Sequence, residues 1–444
     1  MLDNIKTVIL CGGSGSRLYP VSTDKSLIGF NGKPLIFHQV KCAASAGVGE
    51  FIIVVNESNG EAIRSSLSNL RDASIKFIVQ KKPGGMARAI MAARQSIAGN
   101  PFMLLSSNDI VDSTACKAII MAASRYSSNA ALLTAIRLKS YFPGGYLVVS
   151  PTGRIKRIVE KPGRGKQPSD LVNIVVHLHL QPAMLFKYLD ALTQKSDDDY
   201  EQALDNMIQD GLPMHAVTYK GSWQPIKYPW HILEALDYYS SHIKRKIDSS
   251  SFISPRAVID GKVAIEQGVR VLEGAVIRGP SYIEKDAVVG NHALIRNSTI
   301  GRGSVVGYKT EIKHSHIGSN CWFHSNYIGD SVISDNCFFG AGAVTANFRL
   351  DEKIISSIVQ GKSMATGHAK LGAFIGENTR LGVNSSIMPG IKIGSNCNIG
   401  PHVLLDVDIK PHSTVIADNK YLLKHNARTL AGTGKRNKLI PGLK

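Results

Sequence analysis

Glycines and a cation beside an apolar segment form the part of this sequence best suited to chemistry. The residues concerned are Leu10, Gly12, Gly13, Gly15, Ser16 and Arg17. Glycine lacks the Cβ atom that would hold a phosphate away from backbone amides, and arginine adds a planar cation that pairs with phosphate oxygens. The apolar segment before the glycines reads as a buried strand. We therefore expect a strand that leads into a phosphate-binding loop, and a nucleoside triphosphate as its ligand.

The spacing of this loop excludes two familiar phosphate-binding motifs. A P-loop would carry Lys-Ser/Thr after its last glycine, and a dinucleotide fingerprint would carry an acid about 20 residues further on. The loop instead resembles the signature of the sugar-1-phosphate nucleotidylyltransferases, in which G-G-x-G-S/T-R-L is followed by a lysine and then by K-P-L. Lys25 and the run Lys33-Pro34-Leu35 stand in those places. The resemblance implies that Arg17 and Lys25 are catalytic.

Later segments match the same family in the same order along the chain. Gln80 ends one apolar run and Gly85 opens a helical pattern, which resembles the family segment that lays backbone against the base. Asn108-Asp109 follow the apolar run FMLLSS, and by resemblance Asp109 is a magnesium ligand. Such a metal would screen phosphate charge while the sugar phosphate attacks the α-phosphorus. By resemblance the sugar-phosphate site consists of Gly145, Glu160, Lys161 and Asn173.

Several positions around this site depart from the family pattern. Pro225 stands in the segment GSWQPIKYPW where the family carries the Asp or Asn that completes the metal site. Proline offers no carboxylate, so one metal ligand is lost unless Gln224 or water substitutes. The other departures are Asp24, Met86, Val175 and His177. Together they leave weakened, altered and lost nucleotidylyl transfer as the alternatives for this part of the chain.

A six-residue repeat of small or branched apolar residues occupies the second half of the chain. Its members include Ile265, Val271, Ile277, Ile283, Val289, Ile295, Ile375, Leu381, Ile387, Ile393, Ile399 and Leu405. A period of six fits neither a helix nor an alternating strand, but it suits a parallel β-helix whose faces each present one inward aliphatic residue per short strand. The repeats resemble those of the left-handed β-helix acyltransferases.

Within the repeats, residues 309–349 carry polar side chains that could act on a substrate. The stretch resembles the acetyl-transfer segment of the bifunctional enzymes that N-acetylate glucosamine-1-phosphate and then uridylylate it. The resemblance implies that His324 is the general base, which takes a proton from the sugar amine as it attacks acetyl-CoA. Phe338 falls where the family carries a sugar-binding asparagine. By resemblance the remaining sugar and phosphate contacts are Lys313, Tyr327, Asn347 and Lys353.

The length of 444 residues indicates more than one domain, since single cores stop growing near about 250 to 300 residues. We expect an α/β doubly wound nucleotidyltransferase domain over 1–235 and a helical linker over 236–250. A left-handed parallel β-helix of hexapeptide repeats should follow over 251–417, and a basic tail over 418–444. In a doubly wound sheet, ligands bind at the carboxyl ends of the strands.

Charge and composition indicate partners and location. The net charge of +18 is spread along the chain, and we interpret it as attraction for nucleotides and sugar phosphates rather than for nucleic acid. No apolar run reaches the roughly 18 residues of a membrane helix, and the first residues read as strand and loop rather than as a signal peptide. The six cysteines lack metal-site spacing and read as core residues in a reducing cytoplasm.

The sequence leaves three functions open. The first is a cytoplasmic, homotrimeric enzyme that makes UDP-N-acetylglucosamine from glucosamine-1-phosphate, acetyl-CoA and UTP with Mg²⁺. The second is a nucleotidylyltransferase for mannose-1-phosphate with GTP, or for glucose-1-phosphate with UTP or dTTP, whose β-helix only oligomerises. The third is a catalytically silent regulatory subunit that binds a sugar nucleotide. Pro225 favours the third function for the first domain, whereas His324 and Lys313 favour the first for the β-helix.

Overall fold

The computed structural model describes residues 5–418, apart from 14, 72, 83 and 193–195, together with residue 425. The chain forms an α/β domain followed by a parallel β-helix, which confirms the predicted fold class. The predicted basic tail lies outside the described residues except at 418 and 425. In the described part of the chain, no helix has the length and apolar character needed to cross a membrane.

The first domain is built on a mixed sheet flanked by helices. Its strands are β1 (Lys6–Leu10), β2 (Gly29–Phe30), β3 (Lys33–Pro34), β4 (Glu50–Val55), β5 (Ser74–Val79), β6 (Phe102–Ser106), β7 (Asp109–Val111), β8 (Ala131–Arg137), β9 (Gly145–Val149), β10 (Ile155–Glu160), β11 (Leu171–His179), β12 (Met214–Tyr219) and β13 (Trp223–Pro225). Its helices are α1 (Leu35–Ala44), α2 (Gly60–Leu67), α3 (Gly85–Ile97), α4 (Ser113–Arg125), α5 (Pro182–Ala191), α6 (Asp199–Gln209) and α7 (His231–Ser241).

Parallel strands at the centre of this sheet bring the predicted nucleotide-binding residues to one edge. The main order is β10-β9-β11-β6-β1-β4-β5, with β8 paired to β11 and β12 paired to β8. Strand β1 runs parallel to β4 and β6, and β4 runs parallel to β5. The chain leaves the carboxyl ends of these strands at Leu10, before Gln80, and just before Asp109. Because parallel strands end at the same edge, these segments lie close together.

The β-helix consists of three parallel sheets that the chain visits in turn. Sheet 1 contains β14 (Lys246–Ile247), β17 (Val263–Ile265), β20 (Ser281–Ile283), β23 (Thr299–Ile300), β26 (His316–Ile317), β29 (Val332–Ile333), β34 (Phe374–Ile375) and β37 (Lys392–Ile393). Sheet 2 contains β15 (Phe252–Ile253), β18 (Arg270–Val271), β21 (Val288–Val289), β24 (Val305–Val306), β27 (Trp322–Phe323), β30 (Phe338–Phe339), β35 (Arg380–Leu381), β38 (Asn398–Ile399) and β40 (Thr414–Val415). Sheet 3 contains β16 (Val258–Asp260), β19 (Val276–Arg278), β22 (Leu294–Arg296), β25 (Glu311–Lys313), β28 (Tyr327–Gly329), β31 (Val344–Thr345), β36 (Ser386–Ile387) and β39 (Leu404–Leu405).

The predicted six-residue repeat is the inward ladder of this β-helix. Every repeat position from Ile265 to Leu405 named above lies in one buried cluster. Val271 pairs with Val289 one coil away, so three hexapeptides complete a turn. One excursion interrupts the coils between β31 and β34, and it contains the hairpin of β32 (Ser356–Val359) and β33 (Lys362–Ala365). Stacking of the coils buries the ladder, because each coil contacts only its neighbours.

A shared apolar cluster joins the two domains. Phe30, Trp230 and Leu236 from the first part of the chain pack with Val332 and Phe374 from sheet 1. Helix α7 therefore begins before the predicted linker, because its apolar residues are needed in this cluster. The β-helix also begins earlier than predicted, since β14 already pairs with β17. The first domain thus covers sheet 1 and leaves sheets 2 and 3 to face elsewhere.

Candidate active sites

The glycine loop leaves β1 and packs against the residue predicted to contact the base. The Cys11 N–H donates to the Val54 carbonyl at 2.8 Å, which ties the loop to the carboxyl end of β4. A Cβ atom at Gly12 would collide with the carboxamide oxygen of Gln80, so the glycine lets that side chain lie against the loop. Gly15 has a φ of 66°, in the left-handed region that favours glycine.

Two predicted catalytic cations lie beyond the loop. A Cβ atom at Gly15 would lie 3.7 Å from the Lys25 Cε, so Lys25 reaches the loop. Arg17 is exposed on a short 3₁₀ turn. Burial lowers the pKa of Lys25, and the Arg17 charge lowers it further, against the opposing effects of Asp24 and Asp109. Two like charges that face the same space attract an anion into it.

Two departures from the family pattern have structural explanations. Asp24 accepts the Ser26 N–H at 2.9 Å and the side-chain N–H of Asn59 at 2.8 Å, which fixes the chain just before Lys25. The family that the sequence resembles carries a proline before this lysine, and here the aspartate supplies rigidity through hydrogen bonds. Met86 follows Gly85 at the start of α3 and packs on the core of the domain.

The predicted sugar-phosphate residues of the first domain meet on neighbouring strands. Gly145 on β9 lies opposite Glu160 on β10. A Cβ atom at Gly145 would lie 2.8 Å from the Glu160 Oε2 and 3.6 Å from the Asn173 Cβ. The Lys161 Nζ lies 3.4 Å from Glu160 Oε1 and 2.6 Å from Asp198 Oδ1. The four predicted residues therefore lie together, and Asp198 is a further member that the sequence does not single out.

Behind Asn173 lies a buried hydrogen-bonded chain. The His177 Nε2 lies 2.9 Å from the Asn173 Oδ1, and the His177 Nδ1 lies 2.6 Å from the Tyr200 hydroxyl. The His179 Nε2 lies 2.8 Å from the same hydroxyl. Burial lowers the pKa of both histidines to about 3, so both rings are neutral at pH 7. A neutral ring has one N–H. His177 therefore donates to Asn173, whose own N–H groups are left for a substrate oxygen.

The predicted metal ligand Asp109 lies beside a cation. Asp109 begins β7 and lies directly opposite Pro225 on β13. Its Oδ1 accepts the indole N–H of Trp223 at 3.1 Å. Burial raises the pKa of Asp109, and the Lys227 ammonium is the strongest influence against that rise. The Lys227 Nζ donates to the Pro143 carbonyl at 2.8 Å.

The donors at this position do not fit a resident magnesium ion. Mg²⁺ needs a near-octahedral set of oxygen ligands. Asp109 already accepts one N–H, Pro225 adds no side-chain oxygen, and a nearby ammonium repels a divalent cation. Among the described residues, no three His, Cys, Asp or Glu side chains are grouped as a metal site. The role of Asp109 as a metal ligand stays a prediction from the resemblance.

Polar residues from neighbouring coils meet on sheet 3. Lys313 ends β25, Tyr327 begins β28 and Asn347 follows β31. The Asp330 Oδ2 accepts the Asn347 side-chain N–H at 2.5 Å and lies 3.5 Å from the Lys313 Nζ. Asn347 also donates to the Tyr327 hydroxyl at 3.2 Å. We call Lys313, Tyr327, Asn347 and Asp330 the sheet 3 cluster; the sequence predicts the first three members and not the aspartate.

A histidine connects this cluster to the first part of the chain. The His314 Nδ1 lies 2.8 Å from Asp330 Oδ1, and its Nε2 lies 3.1 Å from Asp237 Oδ1 on α7. Burial opposes the charged ring, but the hydrogen bonds to Asp237 and Asp330 outweigh it and raise the pKa of His314 to about 9. Burial likewise opposes the Asp330 carboxylate, yet hydrogen bonds from His314 and Asn347 lower the pKa of Asp330.

Two other predicted residues of the β-helix are exposed. His324 lies on the turn between β27 and β28, just before Tyr327. Lys353 lies on the excursion after β31, where its Nζ is 3.8 Å from Asp351. His324 is therefore close in sequence to Tyr327 of the sheet 3 cluster. Lys353 instead pairs with Asp351, two residues away.

The departure at Phe338 belongs to a different face. Its ring stacks on Trp322 with centroids 5.8 Å apart, and the Arg380 guanidinium lies 4.0 Å from the ring centre. These residues pair directly across β27, β30 and β35 of sheet 2. The phenylalanine thus extends an outward aromatic and cationic ladder rather than the sheet 3 cluster.

Comparisons with known proteins agree with this architecture. Residues 6–238 match the nucleotidyl transferase family, and residues 372–406 match the bacterial transferase hexapeptide (six repeats). A bifunctional protein GlmU of Methanococcus vannielii is 32% identical over 427 residues, which cover 94% of this chain and 99% of that protein. A bifunctional sugar-1-phosphate nucleotidylyltransferase/acetyltransferase of Sulfurisphaera tokodaii is 29% identical over 415 residues, covering 91% and 98%.

A plant protein matches over a shorter stretch. A probable mannose-1-phosphate guanylyltransferase 2 of Arabidopsis thaliana is 27% identical over 290 residues, which cover 62% of this chain and 76% of that protein. The fold and the two sites define a two-domain transferase. The chain belongs to the nucleotidyl transferase family, in the group of bifunctional proteins that its archaeal relatives represent.

Proposed function

We propose that this chain makes UDP-N-acetylglucosamine from glucosamine-1-phosphate, acetyl-CoA and UTP. The observation that carries the proposal is the sheet 3 cluster, in which Lys313, Tyr327 and Asn347 surround one carboxylate. A cation and hydrogen-bond donors at one place suit a phosphorylated sugar. The archaeal relatives, which share nearly the whole chain, are named as bifunctional proteins.

Acetyl transfer would take place at the corner between sheets 2 and 3. The sugar amine attacks the thioester carbonyl of acetyl-CoA, a C–N bond forms, and the C–S bond breaks. His324 takes the amine proton and returns a proton to the leaving thiolate, so the balance closes at N-acetylglucosamine-1-phosphate and coenzyme A. Lys313 would hold the sugar phosphate, and Tyr327 and Asn347 would hold the sugar.

Uridylyl transfer would take place at the carboxyl edge of the first domain's sheet. A phosphate oxygen of the sugar phosphate attacks the α-phosphorus of UTP, and pyrophosphate leaves. Arg17 and Lys25 would stabilise the charge on the triphosphate, and the glycine loop would hold it through backbone N–H groups. Glu160 and Asn173 would orient the sugar.

A second candidate is favoured for the first domain by one observation. Pro225 lies opposite Asp109 and removes a carboxylate that the family uses for its metal. The first domain would then bind a nucleotide or a sugar nucleotide without turning it over, while the β-helix still acetylates. The choice of glucosamine as the sugar and of uracil as the base is also part of the proposal. The Arabidopsis relative is named for mannose-1-phosphate and guanylyl transfer instead.

We also propose a cytoplasmic homotrimer. Five of the six cysteines are buried and all six are free, as expected of core residues in a reducing compartment. Trp322 on sheet 2 is exposed, and so are Phe348, Leu350 and Ile354 on the excursion. Exposed apolar residues on a β-helix suit packing against copies of itself.

Product analysis tests the proposed function. The purified chain is incubated with glucosamine-1-phosphate, acetyl-CoA and UTP, and the products are identified by mass spectrometry. We expect N-acetylglucosamine-1-phosphate and UDP-N-acetylglucosamine, and neither without acetyl-CoA. GDP-mannose from mannose-1-phosphate and GTP would favour the other nucleotidylyl reaction. Acetylated sugar without nucleotide sugar would favour the silent first domain.

A further inference from the structure

Lys227 stands out because the family pattern gives it no role. It follows Pro225 by two positions in the segment after β12, and the pairing of β13 with β7 brings that segment against Asp109. The residue that would complete a metal site is a proline, and a lysine enters the same neighbourhood. The metal site of the family has therefore lost one ligand at Pro225. The chain supplies the ammonium of Lys227 nearby.

The surroundings of Lys227 hold its ammonium in place. The Nζ donates to the Pro143 carbonyl at 2.8 Å and lies 3.9 Å from the centre of the Phe142 ring. The Phe142 ring in turn contacts Trp223 edge to face, with centroids 4.7 Å apart. The backbone N–H of Lys227 donates a hydrogen bond to the ring of His231 at the start of α7. A lysine with a partly buried stem and two side-chain contacts is positioned rather than freely mobile.

Charged residues on both sides of the first domain's proposed site influence Lys227. Burial disfavours its charge and lowers its pKa to about 8, and Asp109 is the strongest opposing influence. Arg17 from the glycine loop acts on it, and so do Glu160 and Lys161 from the sugar side. The Lys227 ammonium is thus within electrostatic reach of both the glycine loop and the sugar-side residues.

Asp109 lies near this cation. Its carboxylate accepts the Trp223 indole N–H, and the Lys227 charge lowers the pKa of that carboxyl against the effect of burial. The Lys227 Nζ uses one N–H on Pro143, and an ammonium has three. Further N–H groups are therefore available to phosphate oxygens.

We propose that the Lys227 ammonium is a built-in cation of the nucleotide site, which lets the first domain bind a nucleoside triphosphate without a divalent metal. The inference rests on the proposed nucleotide binding of that domain. It names Lys227 as the source of positive charge for the triphosphate. Binding of nucleotide without a metal is the property that distinguishes this inference from the proposed function alone. The Pro143 carbonyl and the Phe142 ring position the ammonium, and its remaining N–H groups donate to the phosphates when a nucleotide binds.

Calorimetric titration with UTP, with excess EDTA or with Mg²⁺, tests this inference without requiring turnover. We expect the wild-type chain to bind UTP in EDTA with an affinity within about threefold of that in Mg²⁺. Lys227→Met should weaken binding in EDTA by roughly tenfold or more, since one charge-assisted contact to phosphate is lost. Lys227→Arg keeps the charge and should retain most of the metal-free affinity.

Lys220→Met is the matched control, because Lys220 is an exposed lysine on the same segment. It should bind UTP as the wild type does. Circular dichroism and acetyl transfer by the β-helix confirm that each variant is folded. Two results would overturn the inference and leave the proposed function standing. One is wild-type binding of UTP that requires Mg²⁺, and the other is metal-free binding of UTP that is unchanged in Lys227→Met. Failure to bind UTP or GTP under either condition would overturn both.

Discussion

Asn173 is oriented by a histidine that lies wholly in the core. His177 donates to its carboxamide oxygen, Tyr200 donates to His177, and His179 donates to Tyr200. The His179 Nδ1 has no hydrogen-bond partner, which suits the lone pair of a neutral ring. The departure at His177 therefore changes how Asn173, the proposed sugar-binding asparagine, is held, and it does so through a chain of fixed donors.

His177→Leu should impair sugar binding more than catalysis. The substitution removes the donor that fixes the Asn173 oxygen, so we expect the KM for the sugar-1-phosphate to rise roughly tenfold, with kcat changed by less than about threefold. Steady-state pyrophosphate release measures both. If the first domain does not turn over, calorimetric binding of the sugar phosphate replaces KM.

His179→Leu is the matched control for this prediction. His179 is equally buried and contacts Tyr200 but not Asn173. It should lower the melting temperature to a similar extent while leaving KM near the wild-type value. Equal effects on KM in the two variants would show that core disruption, rather than the orientation of Asn173, is responsible.

Some site residues are predictable from the sequence because they sit at fixed distances from strong local signals. Gly12, Gly15 and Lys25 belong to one short loop, and the structure brings them together. Lys227 and Asp330 are not predictable in this way. Lys227 comes near Asp109 only because β13 pairs with β7. Asp330 reaches Lys313 only because neighbouring coils pair at one particular register.

At the level of elements, α7 links the two candidate active sites. Its N-terminal turn follows the segment that pairs with Asp109, and its Asp237 binds His314 next to the sheet 3 cluster. His314 contacts Asp237 from α7 and Asp330 beside sheet 3. Lys313 lies near the same Asp330 carboxylate. A protonated histidine between two carboxylates therefore helps to fix the β-helix on the first domain.

The His314 contact predicts a particular pH dependence of stability. Its folded pKa of about 9 exceeds its ordinary value of about 6.5. The stabilisation is thus fully present below about pH 6.5 and is lost as the pH rises through about 9. Between those values the wild-type melting temperature should fall by about 2 °C or more relative to His314→Asn.

The control is His402→Asn, an exposed histidine with positive φ on another turn of the β-helix. Asparagine tolerates that backbone conformation, so neither substitution adds strain. The control variant should keep the wild-type pH profile. A melting profile of His314→Asn that runs parallel to the wild type across this range would contradict the charged bridge.

The β-helix shows how far a repeat can predict an element. The six-residue period identifies the inward residues, and all of those named lie in the core. It does not fix the length of each coil: Val271 pairs with Val289, but Phe323 pairs with Phe339. It also gives no sign of the β32–β33 hairpin, because an excursion at a turn leaves the inward ladder intact.

On the scale of the whole molecule, the three faces of the β-helix have different roles. Sheet 1 is covered by the first domain, where the His316 ring bonds to the Gly29 carbonyl at 2.8 Å. Sheet 3 carries the sheet 3 cluster. Sheet 2 presents the ladder of Trp322, Phe338 and Arg380. Sheet 2 and the excursion are therefore the surfaces available for contact with other copies of the chain.

Trp322→Glu should break the proposed trimer. A buried, unpaired carboxylate at an interface costs more than the aromatic contact it replaces. Light scattering should give the mass of three chains for the wild type and of one for the variant. Met121→Glu, which changes an exposed methionine of α4, should remain trimeric. A monomeric wild type would rule out the trimer and weaken the acetyltransferase assignment.

Acetyl transfer by the full-length chain is the most direct test of the proposed function. Thiol release from acetyl-CoA is followed with glucosamine-1-phosphate as acceptor, for the wild type, His324→Ala and His292→Ala. His292 lies exposed at the same corner of the β-helix, between β21 and β22. We predict thiol release that depends on the amino sugar, retained in His292→Ala and reduced roughly 10²-fold or more in kcat by His324→Ala. A silent wild type, or a His324→Ala variant as fast as the wild type, would contradict the account.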